Sequence, residues 1–205
     1  MHLDARSTCD LGVLGYEEGL AAQQEFVTRR AAGEIGDTLL LCEHPAVYTL
    51  GTNSDEANVL AAGPIPVVRT DRGGEVTYHG PGQQVGYAIC DLNARGRDLH
   101  RHMRDLEELM IRVLAPLGLR GERIEGRTGV WVDGRKIGAI GVRVRRWISS
   151  HGFALNVDCD LAHFDGIIPC GIRDASVTSI ERELGCAVDV KAACAAAFEE
   201  IFLGS

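Results

Sequence analysis

A mixed β-sheet with packed helices, of α/β or α+β type, is the fold class this sequence predicts. Three observations carry it. Short apolar runs gather in the middle of the chain, helical periodicity lies before, between and after them, and the composition is that of an ordinary globular protein. The 205 residues are 45% hydrophobic and 24% charged, which fits one domain spanning 1–205.

The elements follow in order. Tyr16 to Ala32 reads as a helix, with Tyr16, Leu20, Val27 and Ala31 near one face. Thr38 to Cys42 and Val47 to Leu50 are apolar runs parted by His44-Pro45, hence two strands around a turn. Pro66 to Thr70 is a further strand. Arg72-Gly73-Gly74 interrupts it, and Glu75 to Tyr78 resumes extended structure. Gln84 to Leu92 follows as a strand after the Gly80-Pro81-Gly82 turn. Asp98 to Leu117 is the clearest helix: Leu99, Met103, Leu106, Met110, Val113, Leu114 and Leu117 recur at three- and four-residue steps. Asp98 can cap its start and Gly118 can end it. Val130 to Val132 and Lys136 to Val144 flank Asp133-Gly134, a hairpin signature. Phe153 to Val157 is a strand, Asp165 to Ile172 a loop, and Asp189 to Phe202 a closing helix. No internal boundary is evident.

A formal charge of −8 argues against general nucleic-acid binding, which needs a basic face. Nineteen arginines accompany only two lysines, Lys136 and Lys191. The seven cysteines (Cys9, Cys42, Cys90, Cys159, Cys170, Cys186 and Cys194) are odd in number. No secretory leader precedes them, so a reduced cytoplasmic setting is expected, with most of them acting as small buried hydrophobes. No stretch reaches the roughly 18 apolar residues a membrane span requires. Nothing calls for more than a monomer. No metal is expected: C-x-x-C and H-E-x-x-H are both absent, and His100 and His102 lie two apart on a helix, on different faces.

Three segments carry residues that a plain core does not need. The first is Arg72-Gly73-Gly74-Glu75-Val76-Thr77-Tyr78-His79-Gly80-Pro81-Gly82-Gln83. Its glycines permit close backbone approach, so its N–H groups can hold a carboxyl or thioester oxygen; the bland reading is two tight turns. Gly80-x-Gly82 is no dinucleotide fingerprint, because a strand and not a helix follows. The second is Gly134-Arg135-Lys136-Ile137-Gly138-Ala139-Ile140-Gly141-Val142-Arg143, where Lys136 opens an apolar strand; the alternative there is a solvated strand end. The third is His151-Gly152-Phe153-Ala154-Leu155-Asn156-Val157 with Ile167-Ile168-Pro169-Cys170-Gly171-Ile172. Cys170 is pinned between Pro and Gly, either as a reachable thiol or as an inert buried one.

Together, and with Glu43-His44-Pro45 through Thr49-Leu50-Gly51, these blocks resemble the lipoyl (octanoyl) transferase family in order and spacing over roughly residues 40–184. The resemblance implies the catalytic fold of biotin and lipoate protein ligases. It implies transfer of an octanoyl group from acyl carrier protein to a lysine of lipoyl domains and of the glycine cleavage H protein, the first step of endogenous lipoate synthesis, without a cofactor. It assigns Cys170 as the acyl-thioester nucleophile and Lys136 as the partner that activates it. Arg72 to His79, Ala139 to Gly141 and Gly152 to Ala154 then line the acyl substrate.

A free thiol ionises near pH 8.5, so a cation within about 4–6 Å is the simplest way to hold a thiolate at neutral pH. Lys136, or His79 through a water, is expected to take the proton of the acceptor amine. Acyl carrier proteins are acidic, so a local arginine patch at Arg143, Arg145 and Arg146 is a candidate docking surface, the alternative being a solvated strand end. Three other readings compete: an ATP-dependent ligase on the same fold, a non-catalytic carrier-binding module, and a cysteine hydrolase.

Overall fold

The computed structural model describes residues 7–168 and 176–204. A seven-stranded mixed sheet runs in the order β1-β2-β6-β10-β9-β8-β7. Its strands are β1 (Thr8–Val13), β2 (Thr38–Glu43), β6 (Gln83–Ile89), β7 (Glu122–Ile124), β8 (Arg127–Val132), β9 (Arg135–Arg145) and β10 (Ile148–Asn156). Only β1 and β2 pair in parallel; the other neighbours are antiparallel. A small sheet of β3 (Val47–Leu50), β4 (Val67–Arg69) and β5 (Val76–His79) has the order β4-β3-β5. The mixed α/β class is the one expected from the sequence.

Alternation along the strands builds two apolar layers. In β2, Leu39 and Leu41 join the layer under α2 (Leu99–Leu114) and α4 (Lys191–Phe198), while Leu40 and Cys42 join the layer under α1 (Tyr16–Ala31). A strand buried on both faces needs a continuous apolar run, and Thr38 to Cys42 is one. Helix α2 lays Leu106, Leu109, Met110, Val113 and Leu114 on the first layer. The Asp98 carboxylate accepts the Arg101 N–H at 2.9 Å, the expected cap, and Gly118 at φ +78 closes the short 3-10 turn that extends this helix. A third apolar cluster joins Tyr48, Leu50, Val76, Tyr78, Phe164 and Ile167 around the small sheet.

Several elements differ from the sequence reading. β1, β7 and the short α3 (Ile180–Leu184) had no clear period, and Leu161–Gly166 forms a 3-10 helix. β10 begins at Ile148, five residues before the expected start, because Arg146 (φ 51) and Trp147 (φ 64) make the two-residue turn from β9. That turn needs two left-handed residues, and neither carries the Asn-Gly signature. The expected hairpin at Asp133 (φ 46) and Gly134 (φ +74) is present. Cys42, Cys90, Cys159 and Cys194 are buried, but Cys186 is exposed. His102 is buried and His100 exposed on α2.

At Gly86 a β-carbon would overlap the Phe153 ring of the neighbouring strand. Gly86→Ala is expected to lower unfolding free energy by about 1–3 kcal/mol, as overpacking does. Urea denaturation followed by circular dichroism checks this.

Candidate active site

The cavity begins with missing side chains. Ala154 pairs with Ala139 and Gly152 with Gly141 across β10 and β9. Residues two apart share a face, so these four small residues leave a hollow in the sheet on its α1 side. A cavity of about 400 Å³ occupies it, with Tyr16, Val85, Tyr87, His79 and His151 around it. Pairing between β8 and β9 runs only from Val132–Arg135 to Val130–Gly138. Beyond Gly138 the cavity opens between them: Arg127 and Thr128 line it from β8, and Ile140 and Val142 from β9. Leu99 and Met103 of α2 and Phe153 complete the apolar wall.

The glycine-rich segment forms the opposite rim. Arg72, 6% exposed, donates to the Thr49 carbonyl (2.7 Å) and hydroxyl (2.8 Å) and to the Gly73 carbonyl (3.1 Å). It lies where β-carbons on Gly51 and Gly141 would stand 2.7 and 2.9 Å from its atoms, so neither position tolerates a side chain. The Gly73 N–H donates to the Val142 carbonyl at 2.9 Å. One backbone bond thus ties this loop to the free edge of β9. Gly73, Gly74, Glu75, Val76 and Thr77 also line the cavity. Tyr78 does not: by alternation its ring faces the small-sheet cluster, 5.7 Å from Tyr48 and 5.5 Å from Phe164 between centroids.

Lys136 is 8% exposed, so it is not a solvated strand end. Its ammonium stands 5.6 Å from the Trp131 ring centroid, a favourable cation–π separation, and it lines the cavity. Gly129, at φ +118, makes room for it: a β-carbon there would lie 2.8 Å from Lys136 Cε. The buried Glu107 carboxylate accepts the Gly129 N–H at 3.0 Å and pairs with Arg104 and Arg123. Helix α2 therefore fixes the strand that fixes the lysine. Cys170 lies outside the described residues. The chain before it is anchored by the Ile168 N–H on the Asn58 carbonyl (2.8 Å). The chain after it is anchored by the Lys136 N–H on the Ser176 carbonyl (2.9 Å).

Electrostatics in the cavity follow from burial. The His79 imidazole has its proton affinity pushed down to about 3, first by desolvation, then by His44, Arg72 and His151. His151, at φ 58, is lowered to about 4 by burial and by the Arg72 and Arg143 cations. As a neutral ring it donates from Nε2 to Asp71 at 2.9 Å, and Asp71 is also paired with Arg143. His44 is lowered by burial; its Nδ1 donates to the Leu14 carbonyl (2.8 Å), so its Nε2 accepts from Tyr87 Oη (2.6 Å). Burial pushes Tyr87 well above its usual range. Arg143 is thus engaged by Asp71, whereas Arg145, Arg146 and the cavity-lining Arg127 are exposed.

Sequence reasoning missed Tyr16, Tyr87, Arg127 and His151 as cavity residues. They come from elements distant in the chain; the one local signal was His151 directly before Gly152. Among the described residues no cluster of three or more His, Cys, Asp or Glu side chains could hold a metal ion, and no helix is long and apolar enough to cross a membrane.

The architecture is that of protein ligases for lipoyl and biotin groups. A bipartite lipoate protein ligase from Thermoplasma acidophilum superposes with a TM-score of 0.71 at 17% identity, covering 96% of this chain and 83% of that one. Biotin protein ligase from Aquifex aeolicus gives 0.55 at 12%, covering 98% and 69%. The lipoyl protein ligase A/B catalytic domain family matches residues 15–202. An octanoyltransferase from Geobacter metallireducens is 54% identical over 176 residues, 86% of this chain and 82% of that protein. The chain belongs to the octanoyltransferase family within that catalytic-domain class.

The buried histidines predict a pH dependence of stability. The unfolded chain binds protons near pH 6.5 that His44, His79, His102 and His151 resist when folded. Stability is therefore expected to hold above pH 7 and to fall as pH drops from about 6.5 toward 4. His102, lowered to about 4 and packed on Phe202 away from the cavity, offers a clean check. His102→Leu should reduce that slope by up to about 1.4 kcal/mol per pH unit, read from urea midpoints across pH 4.5–7.5.

Proposed function

We propose that this protein transfers an octanoyl group from acyl carrier protein to a lysine of lipoyl domains and of the glycine cleavage H protein, through a thioester on Cys170. The observation that carries the reading is the apolar hollow with Lys136 in its wall, the same lysine whose backbone N–H holds Ser176 in the chain after Cys170. Phe164, before that cysteine, and Val177, after it, share a small void with Lys136. The octanoyltransferase relatives support the same chemistry.

The steps balance without an added energy source. The Cys170 thiolate, favoured by the Lys136 ammonium, attacks the donor thioester; the carrier's thiolate leaves and takes the Lys136 proton. One thioester replaces another, so the exchange is nearly neutral in free energy. The acceptor amine then attacks the acyl-enzyme, the now neutral Lys136 takes its proton, and Cys170 departs as thiolate. His79 is the weaker candidate for that proton, because burial holds its affinity near 3. Arg127 at the cavity edge offers a cation to an acidic carrier.

A ligase reading requires ATP; a binding module never gains mass; a hydrolase releases free acid. Intact-protein mass spectrometry after mixing with octanoyl acyl carrier protein separates them. The expected result is an octanoyl adduct formed without ATP, sensitive to hydroxylamine and abolished by Cys170→Ser. Lys136→Ala should slow adduct formation and move its pH dependence upward. An adduct that persists in Cys170→Ser defeats the nucleophile assignment.

The hollow also sets chain length. Each buried methylene contributes about 0.8 kcal/mol, and Ala154→Leu fills the space with new carbon. That variant should lose octanoyl transfer at least about tenfold while retaining butanoyl transfer, measured with carriers bearing each chain.

A further inference from the structure

Gln83 and Asn156 face each other across β6 and β10, 2% and 5% exposed. Two buried amides are costly unless every polar group is satisfied. Here they form a directional chain. Asn156 Nδ2 donates to the Thr178 carbonyl at 2.9 Å, so its Oδ1 turns toward Gln83. Gln83 Nε2 donates to that Oδ1 at 2.9 Å and to the Tyr78 carbonyl at 3.3 Å. Gln83 Oε1 is thereby left facing His79 Nδ1 at 2.7 Å. An amide oxygen only accepts, so Nδ1 carries the proton and Nε2 keeps a lone pair. His79 lines the cavity, and Nε2 is the ring nitrogen left for an occupant. At its far end the chain reaches Lys136, whose carbonyl accepts the Thr178 N–H at 2.9 Å. Lys136, Gln83 and Asn156 also border one void of about 20 Å³, room for a single water.

We propose that Gln83, oriented by Asn156, is a positioning residue for the acyl-transfer step: it locks His79 in the Nδ1–H tautomer so that Nε2 accepts a hydrogen bond from the incoming amine. The inference rests on the acyl-transfer reading of the cavity. It gives His79 an orienting role and leaves the proton itself to Lys136. The groups facing His79 agree with a ring that stays neutral: Tyr16 from α1, His44 after β2, Arg72 before β5 and His151 on β10.

The test uses the full-length protein, ¹⁵N-labelled on histidine, with octanoyl acyl carrier protein as donor and a lipoyl domain as acceptor. Wild type should show a protonated-type Nδ1 and an unprotonated-type Nε2 for His79 across pH 5.5–8. In Gln83→Leu the tautomer should shift, and transfer from acyl-enzyme to acceptor should slow at least about tenfold, while Cys170 acylation changes less than about twofold. Gln83→Glu, whose carboxylate still accepts from His79 Nδ1, should retain the wild-type tautomer. An unchanged tautomer in Gln83→Leu, a shifted tautomer with unchanged transfer, or equal slowing of both half-reactions overturns the proposal. Failure of wild type to acquire octanoyl at all instead overturns the acyl-transfer reading, and this proposal with it.

Discussion

Everything at this site depends on one constraint: two cross-strand pairs in the middle of a sheet, Ala139 with Ala154 and Gly141 with Gly152, carry almost no side-chain volume. A sheet face that lacks side chains must be covered by something else. Here the cover is arched, from Tyr16, His79 and the glycine-rich loop, and does not pack down. The same economy lets Arg72 lie flat against Gly141 and lets the Gly73 N–H reach the β9 edge. The hollow, the loop geometry and the open seam between β8 and β9 are one feature seen from three sides.

Charge is arranged on the same plan. Burial strips protons from the imidazoles around the hollow, while Arg72 keeps its charge and spends its donors on Thr49 and Gly73. Asp71 ties His151 to Arg143, and Glu107 ties β8 to two arginines of its own. The polar groups thus hold loops and strands in register around an apolar interior. An interior of this kind favours a long hydrocarbon over a charged ligand.

Much of this was legible in the residues. Asp133-Gly134 announced its hairpin because both positions need left-handed backbone. The α2 stripe and the Asp98 cap announced a helix, whereas the glycine-bearing segments by themselves read equally as tight turns, and only the family resemblance pointed to them as a wall. Other parts were silent for physical reasons. Arg146 and Trp147 adopt left-handed angles because the β9–β10 ladder demands a tight turn, not because of their own preference. Tyr16, Tyr87 and Arg127 reach the cavity only through tertiary packing. Tyr78 was grouped with its sequence neighbours, yet strand alternation turns its ring to the other side. By its position alone Lys136 read as a solvated strand end, and only the resemblance gave it a chemical part; its burial follows from Gly129 on the paired strand and from Glu107 on α2.

A void defined by glycine and alanine has a narrow evolutionary range. At Gly141 and Gly152 no smaller residue exists, and a larger one would strike Arg72 at the first and the Gly86 carbonyl of β6 at the second, so these two positions are fixed. Accommodating a bulkier cargo would have to come from trimming Val85, Phe153 or Met103 on the surrounding walls. Variation in the size of this chamber is therefore confined to Ala139, Ala154 and those walls, while the two glycines stay pinned by the groups packed against them.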